Sequence, residues 1–317
     1  MYSFEPKDLP QPKVHGFLLG GVSPRPIALV STISIEGKLN LAPFSFFNAF
    51  GSNPPIIAFS PARRGTDGSL KDTLLNIEAT GECVVNAVTY QITEQVNLAS
   101  TEYPSDTDEF LKSGLTPIDS DLVRPKRVAE SPYHLECKLL DIKRYGNGGG
   151  AANIVICEVI KFHVSEQIMN DGKIDPYRLD SVGRGGGSFW THVNSFSLFE
   201  LEKPKTKQNL GYDLLPRTIR MSKVLTANNI ARLALLTEIP SPEQIRNFIY
   251  KYKPIESDIT RFLMKKEEKD LDMCLRIAIG SIKKESNYYE LFDLTAQAYL
   301  EEGEVEKAMM ISLYPYL

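Results

Sequence analysis

Three short stretches carry residues whose types and spacing could do chemistry. In "SPRPIALVSTIS", Arg25 stands between two prolines that hold its backbone extended, and Ser31 and Thr32 place two hydroxyls side by side where an apolar run ends. In "SLKDTLLN", Lys71 lies where a helix should begin, followed by Asp72 and Thr73. A helix start offers free N–H groups and a partial positive charge. Lys71, the Thr73 hydroxyl and the Ser31–Thr32 pair could therefore hold a phosphate dianion, although on spacing alone an ordinary capped surface helix is the simpler reading. The third stretch, "NLAPFSFFNAFGSNPPIIAFSP" from Asn40 to Pro61, is aromatic, proline-rich and almost uncharged. Pro43, Pro54 and Pro55 stiffen it, and Asn40, Ser45, Asn48 and Asn53 offer hydrogen-bond partners. It reads as a stiff loop beside a buried strand, suited to a flat ring with one apolar and one polar end. Phe44, Phe46, Phe47 and Phe50, taken singly, read better as core; only their combination suggests the ring.

Other chemistries lack their residues. No G-x-G-x-x-G follows a strand, no G-x-x-x-x-G-K-[ST] occurs, and "GRGGGSF" from Gly183 to Phe189 fits neither pattern. A G-x-S-x-G elbow is missing too. Cys83, Cys137, Cys157 and Cys274 show no C-x-x-C spacing; the first three sit in apolar runs and read as buried inert thiols. That fits a reducing cytoplasm. His15, His134, His163 and His192 are scattered, so neither a metal site nor a catalytic side chain is expected. A net charge of −4 lacks the basic surplus of a nucleic-acid binder. No apolar run approaches the roughly 20 residues of a membrane span, and "MYSFEPKDLP" lacks the features of a secretory signal.

The elements that must position these residues are mostly strands at first. "PIALVSTIS", "PPIIAFS" and "ECVVNAVT" read as buried strands. "HLECKLLDIKRYG" and "NIVICEVIKFHVS", joined by "GNGGG", read as a long hairpin, and Glu36–Gly37 as a tight turn. "SLKDTLLNIEATG" reads as a helix capped by Ser69 and closed by Gly81; "TEQVNLAST" and "DTDEFLKSG" are two more. Strands without regular helical alternation predict an antiparallel barrel with attached helices. The charged stretch from 200 to 216 reads as a linker. Helices follow in "TANNIARLALLTEI", "SPEQIRNFIYKY", "EKDLDMCLRIAIGSIKK", "NYYELFDLTAQAYLEEG" and "EVEKAMMISLY". The last two resemble a helical-repeat hairpin turning at Gly303, within what reads as a small helical bundle.

Taken in order, "SPRPIALVSTIS", "EGKLNLAPFSFFNAFGSNPPIIAFS" and "KDTLLNIEATGECVVN" resemble the flavin reductase-like proteins, and "DGKIDPYRLDSVGRGGGSFW" is similar to that family's C-terminal signature. There Leu usually stands where this chain has Gly185, and Tyr where it has Trp190. The resemblance covers roughly residues 10 to 200. It implies a mainly β fold with helices, an antiparallel, Greek-key-like split barrel that binds FMN over residues 1–204, and leaves residues 205–317 as a small α-helical domain. It further implies a homodimer with FMN at or near the subunit interface and NAD(P)H as hydride donor. By the same resemblance Arg25 and Pro26 lie near the flavin, and Ser31, Thr32 and Lys71 at the phosphate. Asn40, Ala42, Pro43, Ser45, Phe46, Phe47 and Asn48 would line the ring and ribityl chain, with Asp72 and Thr73 completing the wall. Trp190 and His192 would face the nicotinamide. An electron carrier without a nicotinamide site, and an interaction protein on a cofactor-less barrel, remain the alternatives.

Overall fold

A computed structural model describes residues 1–201, 203–204, 208–282 and 288–317. The chain divides into two compact units, Met1–Glu200 and Leu201–Leu317.

The first unit is built on seven antiparallel strands: β1 (Ala28–Ile33), β2 (Leu39–Phe44), β3 (Phe47–Ser52), β4 (Pro55–Phe59), β5 (Glu82–Ala87), β6 (Tyr133–Tyr145) and β7 (Ala152–Val164). Their order in the sheet is β2-β1-β5-β6-β7-β4-β3. Alternate residues of β1 face opposite ways, so each side buries its own cluster. Ala28 and Val30 join Phe44, Phe59, Cys83 and Val155; Leu29 joins Leu41, Val96, Phe110 and Val128. The helices of this unit include α1 (Gln11–Gly21), α2 (Asp72–Thr80), α3 (Thr93–Ala99) and α4 (Glu109–Ser113). Gly81 closes α2 and Gly114 closes α4, both left-handed. The strands read from the sequence and the long β6–β7 hairpin form as expected, and Cys83, Cys137 and Cys157 are buried free thiols.

Three expectations need correcting. The stretch from Asn40 to Pro61 is not a loop: it supplies β2, β3 and β4, joined by the two-residue connections Ser45–Phe46 and Asn53–Pro54. Backbone pairing takes up many of its amides, and the prolines sit at strand ends or on the edge-facing positions where a missing N–H is tolerated. Ser69 does not cap α2, because its hydroxyl donates to Asp67 Oδ1 at 2.7 Å; the cap residue is Lys71, whose side chain cannot accept a hydrogen bond. The linker ends early, since Gly211–Leu214 is helical and Leu215 is 2% exposed in the helical core. Residues 202 and 205–207 of that linker, and 283, 284 and 287 at the ends of two of the expected helices, lie outside the described residues.

The second unit contains α5 (Ala227–Leu233), α6 (Pro242–Ile249), α7 (Ile259–Glu267), α8 (Leu271–Ser281), α9 (Tyr288–Glu301) and α10 (Val305–Leu313). Ser241 and Gln244 form the expected capping box on α6. The hairpin α9–α10 repeats α7–α8 at a fixed offset of 34 positions, the separation of Lys269 and Gly303. Both turn residues have positive φ, 58° and 84°. Asp270 N donates to Lys265 O and Glu304 N to Tyr299 O, each at 2.9 Å. Phe262 and Ala296, Cys274 and Ala308, and Leu275 and Met309 are all 0% exposed. A 34-residue period is that of helix–turn–helix repeats. Replacing Gly303 with Ala should cost this unit about 1–2 kcal/mol, because a Cβ disfavours the left-handed turn; urea unfolding followed by circular dichroism measures it.

Candidate functional site

Asn40 on β2 is the centre of a buried polar network. Its Oδ1 accepts from Thr73 Oγ1 at 2.8 Å and from Thr32 Oγ1 at 3.1 Å. Its Nδ2 donates to Glu109 Oε2 at 3.1 Å, and the same oxygen accepts from Leu41 N at 3.0 Å. One strand is thereby tied to the first turns of α2 and α4. Beside this network opens a cleft of about 140 Å³, lined by Asn40, Ala42, Pro43, Arg64, Lys71, Asp72, Thr73, residues 99–103 and Glu109.

The cleft has a cationic end. The start of α2 has no side-chain cap bond, so its first N–H groups and the positive end of the helix dipole are free for an anion. The Lys71 ammonium has no hydrogen bond or ion pair among the described residues. Burial holds its pKa below the usual lysine value, with Glu102 acting in the opposite sense. Arg64 is engaged by Asp72 at 2.9 Å and by Leu70 O at 2.6 Å. Burial raises the pKa of Glu109 above the usual carboxylate range, against the pull of the Leu41 and Asn40 donors.

The structure gathers Asn40, Ala42, Pro43, Lys71, Asp72 and Thr73 at this cleft and puts the other sequence candidates elsewhere. Ser31 and Thr32 are not side by side: as neighbours in a strand they point to opposite faces. Ser31 donates to Lys126 O, Thr32 is held by Asn40 and Asn76, and both are 0% exposed. Arg25 is 4% exposed, with its guanidinium donating to Leu19 O, Val22 O, Gly185 O and Ser45 Oγ. It fastens the end of α1 to the Gly183–Gly187 segment; its neighbour Pro26 is exposed. Phe46 and Phe47 are half-buried, and Asn48 is exposed on β3.

Trp190 and His192 line a second cleft of about 250 Å³ with Tyr90, Thr93, Glu94 and Asn97. His192 lies 2.6 Å from Asp180 and stacks on Tyr90 at 4.1 Å, while Arg184 covers Trp190 at 4.8 Å. The two clefts share no residue; α3 contributes Thr93, Glu94 and Asn97 to one and Ala99 to the other. Sequence reasoning missed Arg64, Glu109 and residues 99–103. Only Arg64 left a signal, in the paired arginines of "PARRGTDGS".

Among the described residues, Asp121, Glu136 and His163 also converge. Glu136 spends its oxygens on the Asp121 and Leu122 amides and on His163, so this cluster pins the 121–122 turn to the sheet.

The profile described as "Flavin reductase like domain" matches residues 20–176. A Halalkalibacterium halodurans protein of uncharacterised function is 38% identical over 207 residues, which are 64% of this chain and 97% of that one. The crystal structure of nitrilotriacetate monooxygenase component B from Bacillus cereus superposes with TM-score 0.60 at 31% identity, over 63% of this chain and 98% of that one. The chain belongs to the flavin reductase-like family. Its fold is that family's split barrel followed by helices, and its function is of the flavin-related oxidoreductase type. The 2-nitrobenzoate 2-nitroreductase of Pseudomonas fluorescens is also similar, at 26% identity and TM-score 0.57, over 64% of this chain and 97% of that one. About a third of this flavin reductase-like chain therefore has no counterpart in these relatives. No helix among the described residues is long and apolar enough to cross a membrane.

Two predictions test the construction of the site. The "GNGGG" turn holds the arginine segment: Gly150 N donates to Arg63 O at 3.1 Å, and a Cβ on Gly149 would lie 2.9 Å from Gly65 O. Gly149→Ala should cost about 1–3 kcal/mol by forcing these backbones apart. Trp190, the single tryptophan, reports this unit's unfolding by fluorescence. For Glu109 the folded pKa lies above the unfolded one, so its stabilising contribution is full below the unfolded carboxylate range and is lost as pH rises through the raised value. In the same assay, the stability of Glu109→Gln relative to the wild type should increase from pH 4 to pH 7.

Proposed function

We propose that this chain is an FMN-binding, NAD(P)H-dependent flavin reductase acting as a homodimer, with residues 1–204 as the flavoprotein domain and 205–317 as an attached helical domain. The observation that carries the reading is the convergence of Lys71, the uncapped start of α2, Thr73 and Asn40 on one cleft of a flavin reductase-like barrel. These groups suit a phosphate: a cation without a partner, helix amides without acceptors, and a hydroxyl beside them. Arg64 is close enough to add a second positive charge. Ala42 and Pro43 offer the apolar wall that a ring system needs, and the Glu109–Asn40 pair the polar one.

FMN, when bound, supplies the hydride chemistry at its N5. The chain's residues bind and orient it; no side chain needs to be a nucleophile. The cleft is smaller than the roughly 300 Å³ at which ligand pockets begin. Two apolar surfaces are left uncovered in the protomer. The helix α1 buries no residue, with Phe17 and Leu18 both 51% exposed, and the edge strand β3 presents Phe50 at 70% exposure. A second copy covering them would bury this apolar area, which favours the homodimer. Trp190 and His192 are proposed for the nicotinamide side. Their separation from the Lys71 cleft favours, as a second reading, an electron carrier without a nicotinamide site.

Two experiments decide. Lys71→Ala should weaken FMN by about 1.5–3 kcal/mol, roughly tenfold to a hundredfold, with little change for riboflavin, which lacks the phosphate. Equal weakening of both, measured by quenching of flavin fluorescence, removes Lys71 from the phosphate site. Anaerobic addition of NADH or NADPH should bleach the bound flavin; no bleaching with either leaves the carrier.

A further inference from the structure

The helical unit carries an open apolar groove of about 520 Å³. Its floor is one face of α5 and the turn after it, where Ala227, Ile230, Ala231 and Ala234 recur at helical spacing, and its far wall is Tyr212. Three alanines keep that floor low, so an approaching backbone can come close. Tyr212 is 57% exposed and Leu235, at the groove's end, 42%. The chain around the groove is basic. Residues 209–235 contain Arg217, Arg220, Lys223 and Arg232 against Asp213 alone, in a protein of net charge −4. Arg220 lies over the Tyr212 ring at 5.7 Å. None of these four cations forms an ion pair among the described residues. Three cations elsewhere in the unit do: Lys265 pairs with Glu268, Lys269 with Glu302 and Lys307 with Glu304.

From this combination we infer that the groove is a docking site for an acidic amphipathic helix of a partner protein. Helix-in-groove recognition uses apolar anchors at i, i+3, i+4 and i+7 laid into an apolar furrow. Acidic residues flanking those anchors would meet the unpaired cations, which raises the association rate and fixes orientation. A second copy of this chain fits less well. An isologous contact would oppose the same basic segment to itself, and like charges facing each other are repelled.

The test uses the full-length chain and two labelled synthetic helices, each with leucines on one face and either glutamates or lysines on the other. Fluorescence anisotropy should show the glutamate helix binding at least about tenfold more tightly than the lysine helix, and weakening as salt is raised. Ala231→Glu adds a like charge at an exposed position of the floor. It should lower affinity for the glutamate helix at least about tenfold, with the helical circular dichroism unchanged. Lys223→Gln, outside the groove's apolar lining, should weaken binding more modestly. Equal binding of both helices, no binding, or insensitivity to Ala231→Glu overturns the proposal. So does self-association of the chain, by light scattering, that Ala231→Glu abolishes, because the occupant would then be a second copy. Flavin uptake in the barrel unit should be the same in all variants, and none of these outcomes bears on the Lys71 cleft.

Discussion

One side-chain amide sets the geometry of the cleft. Asn40 is 8% exposed, yet its carboxamide takes hydrogen bonds from two hydroxyls and gives one to a carboxylate. Each of those partners comes from a different element, so the position of β2 fixes where α2 and α4 can start. A buried polar group without a partner costs about 1–3 kcal/mol. Loss of Asn40 would therefore strand Thr73 and Glu109 together as well as removing its own bonds. The network is a constraint more than a source of net stability: it permits one arrangement of the three elements and penalises the rest.

That arrangement has an electrostatic consequence. The cleft contains two cations, Arg64 and Lys71, and three acids, Asp72, Glu102 and Glu109, which at first sight is a poor place for an anion. The pairing resolves this. Asp72 is spent on Arg64, and burial favours the neutral form of Glu109. Lys71 and the amides of α2 are left as the groups whose interactions are incomplete. The Oε2 of Glu109 accepts from backbone and amide donors, so a proton, when present, sits on the other oxygen. A phosphate at α2 is more compatible with a carboxyl whose pKa is raised by burial than with one held in the ordinary carboxylate range.

The sequence displayed the barrel more clearly than the site. Buried strands such as β1, β5 and the β6–β7 pair announce themselves by apolar content and by turn residues at their ends. The stretch from Asn40 to Pro61 hid two strand boundaries, because its prolines and asparagines mimic a loop while occupying ends and edges. Ser31 and Thr32 look paired in the sequence because they are adjacent, whereas strand alternation sends neighbours to opposite faces. Lys71 and Thr73 could be picked out because a helix start concentrates its chemistry within three residues. Glu109 could not, since its partner Asn40 is 69 positions away and only tertiary contact brings them together. Arg25 was legible as a special residue but not as a fastener, because its acceptors are backbone carbonyls that leave no mark in sequence.

The helical unit shows how repetition leaves something over. The hairpin α9–α10 touches α7–α8 on one side and α5–α6 on the other, and eight residues of α9 are buried, from Leu291 to Leu300. A central hairpin is covered on both faces; the outer ones are covered on one. At one end α7 turns Ile259, Leu263 and Met264 outward at 45%, 47% and 56% exposure. At the other, α5 presents its alanine face. In a stack of like hairpins the terminal faces are the ones with no neighbour of their own kind, and natural arrays usually make them polar. Here α7 carries Arg261, Lys265 and Lys266 among its apolar residues, and Lys265 and Lys266 are held by Glu268 and Gln297. Among the described residues, Arg217, Arg220, Lys223 and Arg232 at the α5 end have no such acidic partner. The difference between the two ends is thus one of charge satisfaction more than of apolar area, and it is the α5 end whose surface is left complementary to something acidic.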